Sequence, residues 1–172
     1  MDIRHASKVL AACFAMSLSA AGQAAPKSAV PAAKGAAQIV RPLTLTRIAD
    51  MDFAMLGVTT GGTATINPVN GAMTVSGGLV QLGGVPSPAR YVGAASKQTV
   101  VNIRVPNQPV LITRVGGTQT LRVSAFTLDG QDKRALAAAT SFSFAVGATI
   151  TVPAGTVEGL YQGTIDVTVQ YP

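Results

Sequence analysis

The chain contains a run of strict alternation over the eleven residues from Tyr161 to Tyr171. Its odd-numbered positions are mainly aromatic or branched apolar residues, and its even-numbered positions are polar. One set is Tyr161, Gly163, Ile165, Val167, Val169 and Tyr171, and the other is Gln162, Thr164, Asp166, Thr168 and Gln170. Successive side chains of a β-strand point to opposite faces. We therefore predict that residues 161–171 form a strand of a sheet, with one face in the core and the other in water.

The composition of the rest of the chain favours the same class of structure. Only 12% of the 172 residues are charged, and Glu158 is the one glutamate. Val, Ile, Thr and Gly are abundant, whereas the straight-chain residues that favour helices are scarce. Short apolar segments recur between Gly, Pro, Asn and Asp, which is the spacing of a sandwich or barrel. The sequence thus predicts an all-β fold and excludes a helical bundle.

The first 24 residues have the three parts of a secretory signal peptide. Arg4 and Lys8 precede an apolar run from Val9 to Ala21, and small residues follow it. The run is too short for a membrane span, which needs about 20 residues. Cleavage after Ala24 puts small residues at the two recognition positions, whereas cleavage after Ala25 would place a proline first. We predict a signal peptide over residues 1–24.

The only cysteine, Cys13, offers an alternative, because Leu10–Cys13 matches the pattern of a lipoprotein signal. The apolar segment continues past it to Leu18, so we favour ordinary cleavage. That cleavage removes Cys13 and the only histidine, His5, and excludes a disulfide from the mature chain. Of the 13 basic and 7 acidic residues, 11 and 6 would remain, a net charge of +5.

The mature chain is predicted to have two parts. Residues 25–37 are rich in Ala, Pro, Gly and Lys without a period, which is typical of a flexible leader. Residues 38–172 form the β-domain. Its predicted strands are 39–40 with 43–48, 52–56, 63–66, 73–75, 79–82, 90–92, 99–105, 110–115, 120–128, 141–146, 149–152 and 161–171. A hairpin turn is predicted at Asn67–Gly71, and residues 135–139 form a short helix or Ala-rich edge structure.

Several of these segments resemble the secreted bacterial family called domain of unknown function 4402. The resemblance lies in Ile39–Leu45, in Ala49–Phe53, in the Gly-rich middle with Pro86–Arg90, and in the closing Gly159–Gly163. It covers roughly residues 38–171. It implies a small exported β-sandwich, similar in its closing strand to spore-coat-U-like and fimbrial subunits. Turn and strand patterns carry it, so it implies a family and not an activity.

Acidic pairs are the remaining candidates for chemistry. Asp50 and Asp52 would share a face of a strand, as two carboxylates do in glycoside hydrolysis, but short acids before Phe53 more often form turns to the backbone. Asp129 and Asp132 are too few for a calcium site and favour a turn. We assign no catalytic, cofactor-binding or metal-binding residue and expect no cofactor.

The arginines are dispersed along the predicted strands without interleaved aromatic residues, so we expect no nucleic-acid partner despite a pI near 10.0. They are Arg41, Arg47, Arg90, Arg104, Arg114 and Arg122.

The function we expect is that of a non-enzymatic structural or surface protein, built as an immunoglobulin-like antiparallel β-sandwich and resembling a pilin or fimbrial subunit. It would be secreted across the inner membrane to the periplasm, cell surface or extracellular space, with no transmembrane segment in the mature chain. Its partners would be copies of itself or related subunits, joined by β-strand addition, and a periplasmic chaperone. The residues we expect to support the fold or its assembly are Leu43, Leu45, Phe53, Asn70, Gly71, Tyr161, Gly163, Ile165, Val167, Val169 and Tyr171.

The alternative is a monomeric periplasmic or extracellular module that binds carbohydrate or an envelope protein. Its binding loops would be Val85–Ser87 or Asn107–Pro109.

Overall fold

The structure is a computed structural model, and it describes Lys27 and residues 30–172. The predicted cleavage positions Ala24 and Ala25 lie outside the described residues. The chain divides into two compact units, residues 1–37 and 38–172. The described residues 30–37 of the first unit form neither helix nor strand.

The second unit contains eleven strands, and the residues described in it include no helix. The strands are β1 (Thr44–Ala49), β2 (Met55–Ile66), β3 (Met73–Gly83), β4 (Ala89–Ala94), β5 (Thr99–Arg104), β6 (Val110–Arg114), β7 (Thr120–Leu128), β8 (Lys133–Leu136), β9 (Ser141–Val152), β10 (Tyr161–Gln162) and β11 (Thr168–Gln170). Every strand pairing is antiparallel. The prediction of an all-β antiparallel fold is confirmed. No helix in the part of the chain that the structure describes is long and apolar enough to cross a membrane.

The strands form a large sheet and a small sheet. The large sheet has the order β1-β4-β9-β7-β6-β10, and the β2–β3 hairpin joins it through β9. The small sheet has the order β11-β5-β8. Three stretches of chain contribute one strand to each sheet, namely β5 with β6, β7 with β8, and β10 with β11. Their strands lie in the order β7-β6-β10 in the large sheet and in the corresponding order β8-β5-β11 in the small sheet. Three neighbouring stretches of chain therefore cross from one sheet to the other side by side.

Strand β9 runs through the centre of the molecule. It pairs with β4 and β2 along one side and with β7 along the other. Its even-numbered side chains, from Phe142 to Val152, are all buried. The first half contributes to a core cluster shared with β5 and β8 of the small sheet, and the second half to a cluster shared with β2, β3 and β7. The two sheets are thus packed layers.

Aromatic rings fill the first cluster. Tyr91 stacks on Phe144 with a centroid distance of 5.2 Å, and Phe142 lies 6.3 Å from Phe144. The Phe142 ring occupies the space where a side chain on Gly93 would lie. A glycine on β4 therefore makes room for a large ring on β9.

The β2–β3 hairpin is longer than predicted and is bent. The segments predicted at 73–75 and 79–82 belong to one strand, and residues 63–66 are the end of another. The register of β2 against β3 shifts between Val58 and Gly62, and Gly61 and Gly77 both have positive φ there. The predicted turn connects the two strands, with Gly71 at φ 73°.

Other predicted strands were wrong. Residues 39–40 belong to no strand. The next residues do not continue a ladder, because Pro42 lacks an N–H and the backbone N–H and C=O of Arg41 bond to the side chains of Ser96 and Tyr171. Residues 52–54 make a single bridge, Asp52 to Ser87, and the positive φ of Ala54 interrupts the extended chain before β2.

The predicted strand 161–171, here called the last strand, is interrupted as well. Only β10 and β11 pair, the first with β6 and the second with β5. Between them the chain crosses from one sheet to the other. The predicted alternation of faces holds except at Gly163, which is exposed, because the other odd-numbered residues are half-buried and every even-numbered residue is exposed. At residues 135–139 the helix alternative was wrong, since β8 covers the start of that segment.

Candidate assembly edges

Among the described strands, five have a neighbour on one side only. They are β1, β3, β8, β10 and β11. An edge strand presents unpaired N–H and C=O groups, to which another strand can add. Soluble proteins blunt such edges with charged residues, proline, bulges or short length. The five edges differ in how far they carry these features.

Four of the edges carry them. Strand β1 contains Arg47, and its register against β4 shifts after that residue. Strand β8 has four residues, of which Lys133 and Arg134 are charged. Strands β10 and β11 have two and three residues, and Asp166 lies in the segment between them. Each is short, charged or irregular.

Strand β3 has two register shifts against β2, but it is long, with 11 residues, and contains neither charged residues nor proline. Its outward side chains include Val80, which is 51% exposed, and Leu82, which is 66% exposed. The Leu82 side chain lies over Gly57 of β2. The bend at Gly77 divides the strand, and the register against β2 shifts a second time between Met55 and Leu56, where Leu82 is passed over. The apolar end of the strand is Leu79–Gly83.

The hairpin belongs to a longer stretch without charge. No Asp, Glu, Lys, Arg or His occurs among the 37 residues from Phe53 to Ala89. This stretch includes all of β2 and β3. The absence of charge over such a length is visible in the sequence alone, whereas the position of β3 at a sheet edge is not.

Tyr171 connects the two ends of the domain. Its hydroxyl donates to the carbonyl of Arg41 at 2.9 Å and accepts from the N–H of Ser96 at 3.0 Å. The N–H of Arg41 donates to Ser96 Oγ at 2.6 Å. The three groups hold the chain before β1 against the β4–β5 connection. The sequence predicted a core position for Tyr171 and missed this network.

A gap in the ladder lies beside the last strand. Tyr161 pairs with Arg114, and Thr168 pairs with Arg104. Between these paired ends, residues 163–167 face the longer stretch 105–112. Its excess residues bulge out at Pro106–Pro109, where two prolines lack N–H groups. A groove of about 260 Å³ lies there, lined in part by Asn107, Gln108, Asp166 and Thr168.

The other predicted residues of this strand lie beside the two clusters. Val167 and Val169 pack against the first, as do Leu43 and Leu45 of the β1 side. Tyr161 packs against the second. These side chains are half-buried, which fits their position at sheet edges. Their role in assembly stays a prediction.

Gly163 lies against β6, and a Cβ there would stand 2.7 Å from Ile112 Cγ2. The Tyr161 hydroxyl donates to the carbonyl of Val157 at 2.7 Å. These contacts hold the start of the last strand close to its neighbours.

Phe53, Asn70 and Gly71 lie away from that strand. Phe53 packs against the second cluster. Asn70 Oδ1 accepts the N–H of Ala72 at 3.0 Å, and the Gly71 N–H donates to the carbonyl of Asn67 at 2.9 Å. The last two residues thus hold the hairpin turn.

The acidic candidates make local contacts. Asp50 forms an exposed ion pair with Arg47. Asp52 Oδ1 accepts the N–H of Ala54 at 2.7 Å, which is the side-chain turn that the sequence favoured. The described residues contain no group of three or more His, Cys, Asp or Glu side chains that could hold a metal ion.

At the second acidic segment, Asp129 pairs with Arg134 at 2.7 Å, across the β7–β8 connection. Both acidic segments therefore stabilise turns.

One ionisable side chain in the core is perturbed. Burial raises the pKa of Tyr91 above its usual value, and Arg47 opposes the shift while Asp50 and Asp166 add to it. These charges belong to the β1 side and to the last strand. Charged residues from two different parts of the domain thus affect the pKa of the same tyrosine.

Comparison with known proteins gives a family and nothing finer. The family model described as domain of unknown function (DUF4402) matches residues 43–171. No curated protein and no solved structure matches the chain.

Proposed function

We propose that this chain, which belongs to the DUF4402 family, is a non-enzymatic structural protein of the bacterial envelope that acts by joining its sheet to that of another copy. The signal-peptide pattern of residues 1–24 supports export to the periplasm, cell surface or extracellular space. The resemblance of the closing strand to fimbrial subunits supports a structural role.

The observation that carries the proposal is the uncharged edge of β3. A long edge strand with exposed Val80 and Leu82 and no charged residue favours pairing with another strand. Evolution commonly removes such edges from proteins that work as monomers. An edge that keeps this character is better explained by a partner that covers it.

Size-exclusion chromatography with negative-stain microscopy tests the proposal on the protein purified after export, over a range of concentrations. We expect association that grows with concentration. Val80→Lys should abolish it, because a lysine on the edge opposes strand addition. Val92→Lys is the matched control, since Val92 is 40% exposed and lies on β4, which has neighbours on both sides. A wild-type protein that stays monomeric at every concentration would overturn the proposal.

The groove at Pro106–Pro109, beside residues 163–167, favours a second candidate function, that of a monomeric binding module. Asn107 and Gln108 present amide groups beside the carboxylate of Asp166, and such groups hydrogen-bond to sugar hydroxyls. Co-sedimentation with envelope polysaccharides tests it. Binding that is lost in Asn107→Ala and retained in Val80→Lys would favour this function over assembly. Of the other predicted loop, Val85 is 83% exposed, whereas Ser87 is bridged to Asp52.

A further inference from the structure

The turn of the β2–β3 hairpin places an asparagine directly before a glycine, at Asn70 and Gly71. Because glycine has no Cβ, nothing crowds its backbone nitrogen, and the side-chain amide carbon of Asn70 can approach that nitrogen. Asn70 is exposed, so water and hydroxide reach it. The other asparagines of the chain precede residues that do have a side chain, namely Pro68, Ile103 and Gln108.

Both groups that would react are hydrogen-bonded in the folded turn. The N–H of Gly71 donates to the carbonyl of Asn67 at 2.9 Å, and Asn70 Oδ1 accepts the N–H of Ala72 at 3.0 Å. The second bond polarises the side-chain carbonyl and favours attack on its carbon. The first bond holds the proton that must leave before the nitrogen can attack. The reaction therefore waits until the Gly71 N–H is released.

The turn itself is anchored on both sides. The N–H of Asn67 donates to the carbonyl of Ala72 at 2.9 Å, and its Oδ1 accepts the N–H of Val69 at 2.8 Å. Pro68 is buried and lies over Gly147 of β9, where a Cβ would stand 2.7 Å from Pro68 Cδ. A segment held in this way opens only as often as its local stability allows.

We propose that Asn70 is a site of spontaneous deamidation whose rate is controlled by the opening of the hairpin turn. Solvent hydroxide takes the amide proton of Gly71, and the nitrogen forms a bond to Cγ of Asn70. The bond from Cγ to Nδ2 breaks, and the leaving nitrogen takes a proton from water and departs as ammonia. Water then opens the succinimide ring at one of its two carbonyl carbons, which gives aspartate or isoaspartate at position 70. Water is the only co-reactant.

The product changes the turn. It places a carboxylate within the uncharged stretch from Phe53 to Ala89. Isoaspartate also inserts one more carbon atom into the backbone before Gly71, so the bond from the Gly71 N–H to Asn67 cannot keep its geometry. The modified hairpin should therefore open more readily than the original one.

Peptide mass spectrometry after long incubation in mildly alkaline buffer tests the proposal. The wild-type protein is compared in its folded state and in guanidinium chloride. We expect deamidation of Asn70 in the denatured chain and a rate at least about tenfold lower in the folded protein. Asn102 and Asn107 are internal references that should change far more slowly. An Asn70 that stays intact in the denatured chain would overturn the site, and equal rates in the two states would overturn its control by the turn.

A variant of the turn tests the control directly. Asn67→Ala removes the bond to the Val69 N–H and leaves Asn70 and Gly71 in place, so the rate in the folded protein should rise toward that of the denatured chain. Asn107→Ala is the matched control and should leave the rate at Asn70 unchanged. Circular dichroism checks that both variants are folded. A folded Asn67→Ala that deamidates no faster than the wild type would contradict the proposal, and if that variant does not fold, the two states of the wild type still decide.

Discussion

Two strands of this molecule have similar alternation in the sequence and different environments in the fold. Strand β9 has 12 residues, of which eight are buried, and it has partners on both sides. The last strand alternates more regularly, yet none of the residues 161–171 is buried. Two short segments of it pair, on one side only. The difference comes from position, because β9 lies between other strands whereas the last strand lies at the edge of both sheets.

The comparison shows what alternation measures. Period two determines which side chains share a face, and it does so correctly for both strands. It does not determine how many neighbours a strand has, since those depend on residues far away in the chain. Burial and ladder hydrogen bonds follow the neighbours, so stability should concentrate in β9.

The largest effect is expected for truncation at the centre of β9. Phe144 is 2% exposed and stacks between Tyr91 and Phe142, so Phe144→Ala should cost about 3–5 kcal/mol of unfolding free energy. Val167→Ala, in the half-buried last strand, should cost about 1 kcal/mol. Urea unfolding of both variants measures the difference. Equal losses would show that the two strands contribute alike and would contradict the comparison.

A smaller effect is expected where the last strand touches β6. Gly163→Val should force the strand away from Ile112 and cost about 1–3 kcal/mol, as overpacking usually does. Thr164→Val, one residue on and exposed, should change stability by less than about 0.5 kcal/mol. Urea unfolding compares the two. A harmless Gly163→Val would mean that the strand is not held against β6.

The tyrosine network should have a comparable but more local effect. Tyr171→Phe removes a hydroxyl that bonds both Ser96 and Arg41, at a cost of about 1–2 kcal/mol. The Ser96 amide should exchange faster with deuterium, because the β4–β5 connection opens more often. The exchange rates of β9 amides that open without global unfolding should not change. Unchanged exchange at Ser96 would show that the hydroxyl does not hold the connection.

The smallest effect is expected from Tyr91 at high pH. Its pKa is raised in the folded protein, whereas the unfolded chain should titrate near about pH 10. Between those values the unfolded state has lost the proton that the folded state keeps, so stability falls as pH rises. Below about pH 10 the contribution is fully present.

Urea midpoints at about pH 9 and about pH 11 should therefore differ more in the wild type than in Tyr91→Phe. The same decrease in both proteins would assign the effect to other groups.

Sequence reasoning recovered local features and missed long-range ones. The hairpin turn at Asn70–Gly71, the class of fold and the faces of the last strand follow from local chemistry. The ladder gap opposite Pro106–Pro109 and the hydroxyl network of Tyr171 depend on residues distant in sequence. The β3 edge lies between these cases, since its lack of charge is visible but its place at an edge is not.

Hydrogen exchange of the wild-type protein at low and high concentration tests the central claim, that this chain acts through the free edge of β3. The outward-pointing amides of Leu79–Gly83 should exchange more slowly as concentration rises, while those of β1 and residues 163–167 should not change. Exchange in β3 that is independent of concentration, or protection that develops at β1 instead, would contradict the account.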